Sequence, residues 1–322
     1  MDQKPLKNVL GAVAALARGD LVGLPTETVY GLAGNALNPD AVSLIFETKN
    51  RPSFDPLILH TSSIDRVGEF VSDFPEKLKQ LAEKFWPGPL TLLLPRKPIV
   101  PDLVTSGLDR VAVRVPNHPW TLILLEQLEF PLAAPSANPF GYISPTQAAH
   151  VEAQLGEKIP YILDGGPCAV GLESTIVGME DEEIVIYRLG GLEIGEIENV
   201  VGPVKVKDHS SSNPAAPGQL DSHYAPRKPF LLGDLKTLIA KKQAEGVDFA
   251  VLSFSDAFEQ IPQEKQIALS PSHDLHEAAQ NLFSAMRKLD ETPVQVILAE
   301  LMPETGLGRA INDRLRRAAV KG

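Results

Sequence analysis

The chain has 322 residues, of which 43% are hydrophobic and 22% are charged, so it can form two globular domains with ordinary cores. Its net charge of −11 argues against a general nucleic-acid coat, and no apolar run approaches the roughly 20 residues of a membrane helix. The single cysteine, Cys168, excludes an internal disulfide, and the N-terminus lacks the apolar segment of a signal peptide. These features predict a cytoplasmic protein.

The first predicted elements are an amphipathic helix over residues 5–18 and a short buried strand over residues 21–24. Pro25 ends that strand, because proline cannot donate to a sheet ladder. Hydroxyl side chains follow at once, on Thr26, Thr28 and Tyr30. Since open α/β sheets bind their ligands at strand ends, these hydroxyls are candidates for a binding site.

A cationic loop follows the next predicted helix. Asn38 is a suitable N-cap, and the helix must end near Lys49, because a proline three residues later forbids continuation. Arg51 then lies on the loop before a strand over residues 57–59, which leads into His60. Lys49 could simply complement the helix C-terminus, with Arg51 in solvent. The nearby hydroxyls favour instead a phosphate or carboxylate site, the ligands that arginine and lysine bind.

A helix is predicted over residues 75–85, and a buried strand over residues 90–94. The next strand, over residues 109–116, alternates apolar and polar residues, so Arg110 and Arg114 share one face. An arginine inside a central strand either faces solvent or neutralises an anion, and the strand pattern leaves both readings open.

Another strand, over residues 131–134, consists of small residues and ends at Ala134, which permits close approach of a ligand to the backbone. Ser136 and Asn138 follow it. Ser144 opens a Ser-Pro-Thr-Gln sequence that fits a capping box, so we expect its side chain to cap a helix. The same helix N-terminus would present free amide groups to a phosphate.

Two further strands end the predicted first domain, one starting near Ser174 and one over residues 183–188 that ends in Arg188. Read without other information, Ser174 is an ordinary strand-edge residue. Residues 204–228 are polar and proline-rich, which is typical of a linker. Tyr224 is an aromatic residue that a plain connector would not need.

Strands and helices alternate from residue 230 to residue 319, which predicts a small parallel α/β domain. Its first strand is not followed by Gly-x-Gly-x-x-Gly, so we expect no dinucleotide site. The last predicted helix carries an arginine-rich face that we expect to be solvated, formed by Arg309, Arg314, Arg316 and Arg317.

Two long sequences occur in order and carry a resemblance to a known family. They are Pro-Thr-Glu-Thr-Val-Tyr-Gly-Leu at residues 25–32 and Lys-x-Arg-Pro-x-x-x-Pro-Leu-x-x-His at residues 49–60. With Ser-x-Asn at 136–138 and His-Tyr-Ala-Pro at 223–226, they resemble the YrdC family in its longer, two-domain form. The resemblance implies an α/β fold, with a YrdC-like twisted mixed sheet and flanking helices, plus a smaller Rossmann-like parallel α/β domain.

The resemblance also implies three segments: a YrdC-like catalytic domain over residues 1–203, an ordered linker over the active site at residues 204–228, and a Rossmann-like domain over residues 229–322. The implied activity is that of a nucleotidyltransferase, which condenses L-threonine, bicarbonate and ATP, with Mg²⁺ carried by ATP, into threonylcarbamoyl-AMP for the t6A modification of tRNA. The product would pass to a t6A transferase complex, and direct tRNA binding is left open.

The family motifs carry site roles over to this chain, with catalysis assigned to Lys49 and Arg51. The implied threonine-binding residues are Thr28, Tyr30, His60, Arg114, Ala134 and Ser174. The implied ATP-binding residues are Arg51, Asp55, Arg110, Ser136, Asn138, Ser144, Arg188 and Tyr224. Asp55 stands where the family usually has asparagine, and Asp221 where a basic residue is common. A carboxylate beside a triphosphate must bind magnesium or point away.

Two alternative functions remain open from the sequence. One is an RNA-binding factor that uses the cationic loop, against which the acidic net charge counts. The other is a carbamoyl-adenylate module like that of hydrogenase-maturation carbamoyltransferases, whose zinc-finger and acylphosphatase parts have no counterpart in this sequence.

Overall fold

The computed structural model describes residues 3–207, 216–218 and 224–320, with side chains from Asn8 onward. The described residues form two α/β units, each built on its own sheet. In these ranges, none of the helices combines the length and the apolar character of a membrane span.

The first unit alternates strands and helices along residues 3–207. Its strands are β1 (Val22–Leu24), β2 (Gly31–Asn35), β3 (Ile58–His60), β4 (Leu90–Pro95), β5 (Arg110–Arg114), β6 (Leu132–Ala133), β7 (Tyr161–Ile162), β8 (Thr175–Glu180), β9 (Glu183–Arg188) and β10 (Lys205–Val206). Its helices are α1 (Gln3–Ala17), α2 (Pro39–Lys49), α3 (Glu76–Phe85), α4 (Asp102–Thr105), α5 (Pro119–Glu126), α6 (Ala148–Leu155) and α7 (Ile194–Val201), with a 3₁₀ turn at Asp65–Glu69.

The strands of this unit form one mixed sheet in the order β10-β9-β8-β4-β5-β3-β6-β2-β1-β7. The central strand β5 runs parallel to β3 and antiparallel to β4. Because parallel strands align their carboxyl ends, His60 on β3 pairs in register with Arg114 on β5. The register therefore places two of the implied threonine-binding residues side by side at one end of the sheet.

Helices cover both faces of this sheet, because successive side chains of a strand point to opposite sides. On β2, Leu32 packs in the same core as Val42 of α2, whereas Ala33 packs with Leu16 of α1. The predicted N-cap of α2 is confirmed, since the Asn38 side chain accepts hydrogen bonds from two backbone N–H groups of the first turn.

Strand β2 was not predicted from the sequence, because its Gly-Leu-Ala-Gly-Asn composition is unfavourable for a strand. It lies antiparallel between β1 and β6. Close packing explains its glycine at position 34, where a Cβ atom would lie 2.8 Å from the Leu21 side chain. Burial between two neighbours, and not local propensity, makes this segment a strand.

The second unit is a smaller parallel α/β unit. Its elements are β11 (Phe230–Leu232), α8 (Leu235–Glu245), β12 (Phe249–Ser253), a 3₁₀ turn (Gln263–Lys265), β13 (Gln266–Ala268), α9 (Leu275–Glu291), β14 (Val296–Ala299) and α10 (Gly308–Ala319). The strands are parallel throughout and lie in the order β11-β14-β12-β13. The predicted fold class is thus confirmed, although the short strand β13 was missed.

The two units share a buried boundary. Val29 and Leu172 of the first unit belong to the same apolar cluster as Leu282 and Phe283 of α9. The predicted segment limits at 203 and 228 stay a prediction, because much of the linker, residues 208–215 and 219–223 with Asp221, lies outside the described residues.

The prediction that the arginine face of α10 is solvated is wrong for two of its four members. Arg309 and Arg316 are exposed, but Arg314 is fully buried and Arg317 is 3% exposed. The physical reason is that α10 packs against the first unit, where Arg314 forms an ion pair with Glu173.

Candidate active site

One cleft opens where β3 and β5 end, beside residues of the predicted linker. Predicted site residues line it together, although they are far apart in sequence. They are Thr28, Arg51, His60, Arg114, Ala134, Ser136, Ser174, Arg188 and Tyr224. The remaining predicted site residues are not on its wall.

The hydroxyl segment after β1 forms a turn that closes on itself. The Thr26 hydroxyl donates to the carbonyl oxygen of Val29 over 2.6 Å and accepts from that residue's backbone N–H. The Oγ1 atoms of Thr26 and Thr28 are 2.8 Å apart, which holds the Thr28 side chain at the cleft. Thr26 was not among the predicted site residues, but its hydroxyl organises the turn that carries Thr28.

Arg114 is held at the cleft by a buried carboxylate. Its Nη2 atom lies 2.7 Å from Oε1 of Glu27, and the two side chains are 4% and 7% exposed. Its Nε atom donates to the carbonyl oxygen of Gly88 over 3.2 Å. The other Glu27 oxygen, Oε2, accepts from the backbone N–H of Asn117. The Nη2 contact is a close buried ion pair that does not have hydrogen-bond geometry.

His60 presents a neutral imidazole beside Arg114. Burial, and then the charge of Arg114, lower the pKa of His60 to about 3. Its Nδ1 atom lies 3.2 Å from the carbonyl oxygen of Ile58, an acceptor that favours the tautomer with a proton on Nδ1. His60 can therefore supply a hydrogen bond or apolar contact at neutral pH, but not a positive charge.

Ser174 and Arg188 are joined to each other at the cleft wall. Arg188 donates from Nη2 to the Ser174 carbonyl oxygen over 2.8 Å and to its Oγ atom over 3.1 Å. The Ser174 hydroxyl also lies 2.7 Å from the hydroxyl of Thr91. Burial lowers the pKa of Arg188 to about 10, so its guanidinium still carries a full charge at neutral pH. This wall combines a neutral hydroxyl with a fixed cation.

Asp55 is paired and does not face the cleft as a bare charge. Its Oδ2 atom lies 2.9 Å from Nη2 of Arg51, and both side chains are nearly fully buried. Arg51 also donates to the carbonyl oxygens of Asp55 and Pro56, over 3.0 and 2.9 Å. The second carboxylate oxygen of Asp55 accepts from the backbone N–H of Gly218, in the predicted linker. Pairing with Arg51 removes the repulsion that a carboxylate would exert on a triphosphate.

Lys49 lies behind the cleft wall. Its Nζ atom donates to the carbonyl oxygens of Ser136 and Asn138, both over 2.5 Å. Burial, and then the charge of Arg51, hold the pKa of Lys49 well below its ordinary value. In this arrangement Lys49 fastens the loop that carries Ser136, and Arg51 is the member of the pair that reaches the cleft.

Two other predicted residues also support the wall from behind. The Tyr30 hydroxyl donates to the carbonyl oxygen of Gly166 over 2.7 Å and accepts from the N–H of Gly165. The Asn138 amide donates to the carbonyl oxygens of Pro139 and Tyr142, each over 2.8 Å. Both residues shape loops whose neighbours line the cleft.

Ser144 does not cap a helix, so that expectation is wrong. Helix α6 begins four residues later at Ala148, and its N-cap, Gln147, makes no side-chain cap bond. The Ser144 hydroxyl instead donates to Oε1 of Glu173 over 2.5 Å. The buried carboxylate is a stronger acceptor and is brought close by tertiary packing, which the local sequence could not indicate.

Arg110 lies away from the cleft. It donates to the Tyr187 hydroxyl over 2.8 Å and to the Met179 carbonyl oxygen over 3.3 Å. Its position at the start of β5, opposite Pro95, separates it from Arg114 at the other end of the strand. Sequence alternation placed the two arginines on one face but did not give their depth along the sheet.

Glu173 is the main cleft residue that sequence reasoning missed. It lines the cleft and bonds to Ser144 on one side and to Arg314 of α10 on the other. Its place directly before Ser174 was the available signal. Pro217 and Gly218 of the predicted linker also reach the cleft wall.

Within the described residues, no three His, Cys, Asp or Glu side chains lie close enough together to hold a metal ion. The expectation that Mg²⁺ arrives with ATP stays a prediction.

Comparison with known proteins connects this geometry to a family. A family model of the Sua5, YciO and YrdC proteins, described as "Telomere recombination", matches residues 14–190. A second model, described as "Threonylcarbamoyl-AMP synthase, C-terminal domain", matches residues 192–320. The chain belongs to the Sua5/YrdC family. The two models together match both units of this Sua5/YrdC chain, as the resemblance to the two-domain form implied.

Relatives of similar length support this assignment. The threonylcarbamoyl-AMP synthase of Pyrococcus abyssi is 41% identical over 96% of this chain and 93% of its own length. The synthase of Bacillus subtilis is 41% identical over 96% of this chain and 92% of its own. A crystal structure of P. abyssi Sua5 complexed with L-threonine matches with a TM-score of 0.92 and 41% identity, covering 98% of this chain and 94% of that one.

Proposed function

We propose that this Sua5/YrdC protein is a threonylcarbamoyl-AMP synthase, which binds L-threonine beside ATP in the cleft. The observation that carries the proposal is the meeting, in one cleft, of arginines at separate positions with neutral hydroxyls between them. Two anionic groups, a carboxylate and a polyphosphate, need separate cations, and arginine suits both. The relatives named for this activity cover nearly the whole chain.

The threonine end of the cleft is formed by Thr28, His60, Arg114 and Ser174. Arg114 would bind the carboxylate of threonine, in place of its non-directional contact with Glu27. Neutral His60 would avoid repulsion of the substrate's amine, which must lose its proton to react. Ala134, with its small side chain, leaves room for the substrate against the backbone.

The proposed synthesis of threonylcarbamoyl-AMP has two steps. The deprotonated amine of threonine attacks the carbon of bicarbonate, water leaves, and an N-carboxylate forms. An oxygen of that carboxylate then attacks the α-phosphorus of ATP, the bond to the β-phosphate oxygen breaks, and pyrophosphate leaves with the electron pair.

Negative charge grows on phosphate oxygens in the second step, so fixed cations are the groups that lower its barrier. Arg51 and Arg188 line the cleft and are oriented by backbone carbonyls, which limits reorganisation during the reaction. Ser136 and Tyr224 would contact the nucleotide. Mg²⁺, bound to the triphosphate as part of the substrate, would share the charge.

We further propose that the product passes to a t6A transferase complex and that the protein acts in the cytoplasm. Cys168 fits a passive role there, because burial raises the pKa of its thiol to about 12 and so suppresses the reactive thiolate.

The test is pyrophosphate release by the full chain with L-threonine, bicarbonate, ATP and Mg²⁺. We expect release to require threonine, and mass spectrometry to detect threonylcarbamoyl-AMP. Equal release without threonine would remove the substrate assignment. A gel shift with tRNA at several salt concentrations separates the RNA-binding alternative, in which affinity falls steeply with salt and needs no ATP.

A further inference from the structure

An arginine of the second unit lies behind the wall of the cleft, in contact with Glu173, which lines it. Arg314 on α10 is fully buried, and its Nε and Nη2 atoms donate to Oε2 of Glu173 over 3.1 and 3.0 Å. Its Nη1 atom donates to the carbonyl oxygen of Leu189 over 2.6 Å and to Asp313 over 3.0 Å. The two donors form a fork on one oxygen, which neutralises the carboxylate and leaves Oε1 to accept from Ser144.

Glu173 connects this arginine to the cleft. Its carboxylate lines the cleft and accepts the Ser144 hydroxyl over 2.5 Å, while its carbonyl oxygen accepts from the N–H of Gly191. Ser174, next in the chain, is held by Arg188. Without Arg314, the Glu173 carboxylate would lose its ion pair at the wall of the proposed ATP site.

Arg314 also meets other residues implied in nucleotide binding. Its Cζ atom lies 5.3 Å from the centre of the Tyr224 ring, within cation–π distance. The Tyr224 ring in turn packs against Phe283 of α9, with ring centres 5.5 Å apart. Leu189, whose carbonyl oxygen Arg314 binds, directly follows Arg188. One side chain thus supports Ser144, Tyr224 and the segment of Arg188.

The carboxylates around the cleft differ in where their cation comes from. Asp55 is paired with Arg51 of the first unit, and Glu27 is paired with Arg114 of the same unit. Glu173 draws its cation from the second unit. We propose that Arg314 is a positioning residue for ATP, through which the second unit neutralises Glu173 and completes the nucleotide half of the site. This inference rests on the proposed synthase activity.

The test compares Arg314→Met with Arg309→Met, an exposed arginine of the same helix. In the full-length protein, we expect Arg314→Met to raise the KM for ATP about tenfold or more, because an unpaired carboxylate repels the triphosphate across a few ångströms of low-dielectric cleft. The KM for threonine should change by less than about threefold, because threonine is a zwitterion whose net charge is zero and which an unpaired carboxylate repels much less. Arg309→Met should behave as the wild type.

A second substitution, which removes the charge of Glu173, distinguishes the loss of charge neutralisation from a loss of general structural support. The double variant E173Q/R314M removes both charges, and we expect it to recover most of the ATP affinity lost in R314M. Arg314→Lys keeps the charge but loses the fork, so its KM for ATP should lie between those of the wild type and R314M. Thermal melting of each variant identifies those that fail to fold. If R314M does not fold, Arg314→Lys takes its place, and an unchanged KM for ATP in Arg314→Lys would then overturn the inference.

Several results would overturn the inference. A folded R314M with an unchanged KM for ATP would do so, and so would equal increases in both KM values that the second substitution does not recover. If the wild type releases no threonine-dependent pyrophosphate, the proposed function fails. The role of Arg314 is then measured separately, as binding of a non-hydrolysable ATP analogue by calorimetry in the wild type and R314M.

Discussion

The two units have the same α/β layer architecture but use it differently. In the first unit, the strand ends and adjoining loops line the cleft, as the rule for open sheets predicts. In the second unit, helices α9 and α10 face the first unit and place buried charges at the boundary. A Rossmann-like layout can thus serve as a support for a neighbouring site.

The buried charges of the second unit illustrate this. Arg287 of α9 donates to the carbonyl oxygens of Ile143 and Ser144, in a loop beside the cleft. Asp290 of the same helix accepts the Tyr142 hydroxyl over 2.7 Å. A buried charge is costly unless it is paired or hydrogen-bonded, so these side chains specify one docking position for the two units.

The largest effect is expected from breaking a charge pair within the first unit. Arg114→Met leaves Glu27 buried without its cation, which should lower the free energy of unfolding by about 3–5 kcal/mol. The same change removes the proposed partner of the threonine carboxylate, so threonine-dependent pyrophosphate release should fall by about 10²-fold or more. Denaturant unfolding and the release assay measure the two effects.

The double variant E27Q/R114M distinguishes these two effects. It removes the unpaired charge, so it should recover most of the stability but none of the activity. Recovery of both would mean that Arg114 acts only through the fold and does not bind substrate. This pair contrasts with Glu173 and Arg314, for which the double variant should recover substrate affinity.

The sequence did not predict which charged side chains are buried between the two units. Helical spacing on α10 does not tell whether another unit covers part of the helix, and Arg314 is buried while Arg316 is exposed. Ser144 shows the same limit, because its partner Glu173 comes from a distant segment. Local signals succeeded where the contact is local, as for the Asn38 cap, and family motifs brought His60 together with its neighbours.

An intermediate effect is expected from acidification. The folded state holds the pKa of His60 at about 3, below its ordinary 6.5, so the unfolded state binds the proton more readily. The stabilising contribution is therefore complete above pH 6.5 and is lost as the pH falls towards 3. Between pH 7 and pH 5 the loss from His60 should be about 2 kcal/mol.

The matched variants are His60→Asn and His273→Asn. The His273 backbone has a φ of 61°, which asparagine tolerates, and its side chain is exposed. Denaturant unfolding at pH 7 and pH 5 should show a smaller decrease for His60→Asn than for the wild type, and an unchanged decrease for His273→Asn. An equal decrease in all three proteins would contradict the role given to His60.

The smallest effect is expected on the exposed side of α10. Arg316 forms an ion pair with Glu304 at 2.5 Å, but both side chains are more than half exposed. Arg316→Met should change the free energy of unfolding by less than about 1 kcal/mol and leave the KM for ATP unchanged, because solvent screens such pairs. An increase in the KM for ATP as large as that expected for Arg314→Met would contradict this prediction. It would show that a place on α10, and not burial of the side chain against Glu173, decides the effect.

The central claim is that one cleft holds an amino acid and a nucleotide at the same time. A crystal structure of the full chain with L-threonine and a non-hydrolysable ATP analogue tests it most directly. We predict that the threonine carboxylate lies within hydrogen-bond distance of Arg114, with the phosphates between Arg51 and Arg188. Binding of either molecule outside this cleft, with Arg114 still facing Glu27, would contradict the account.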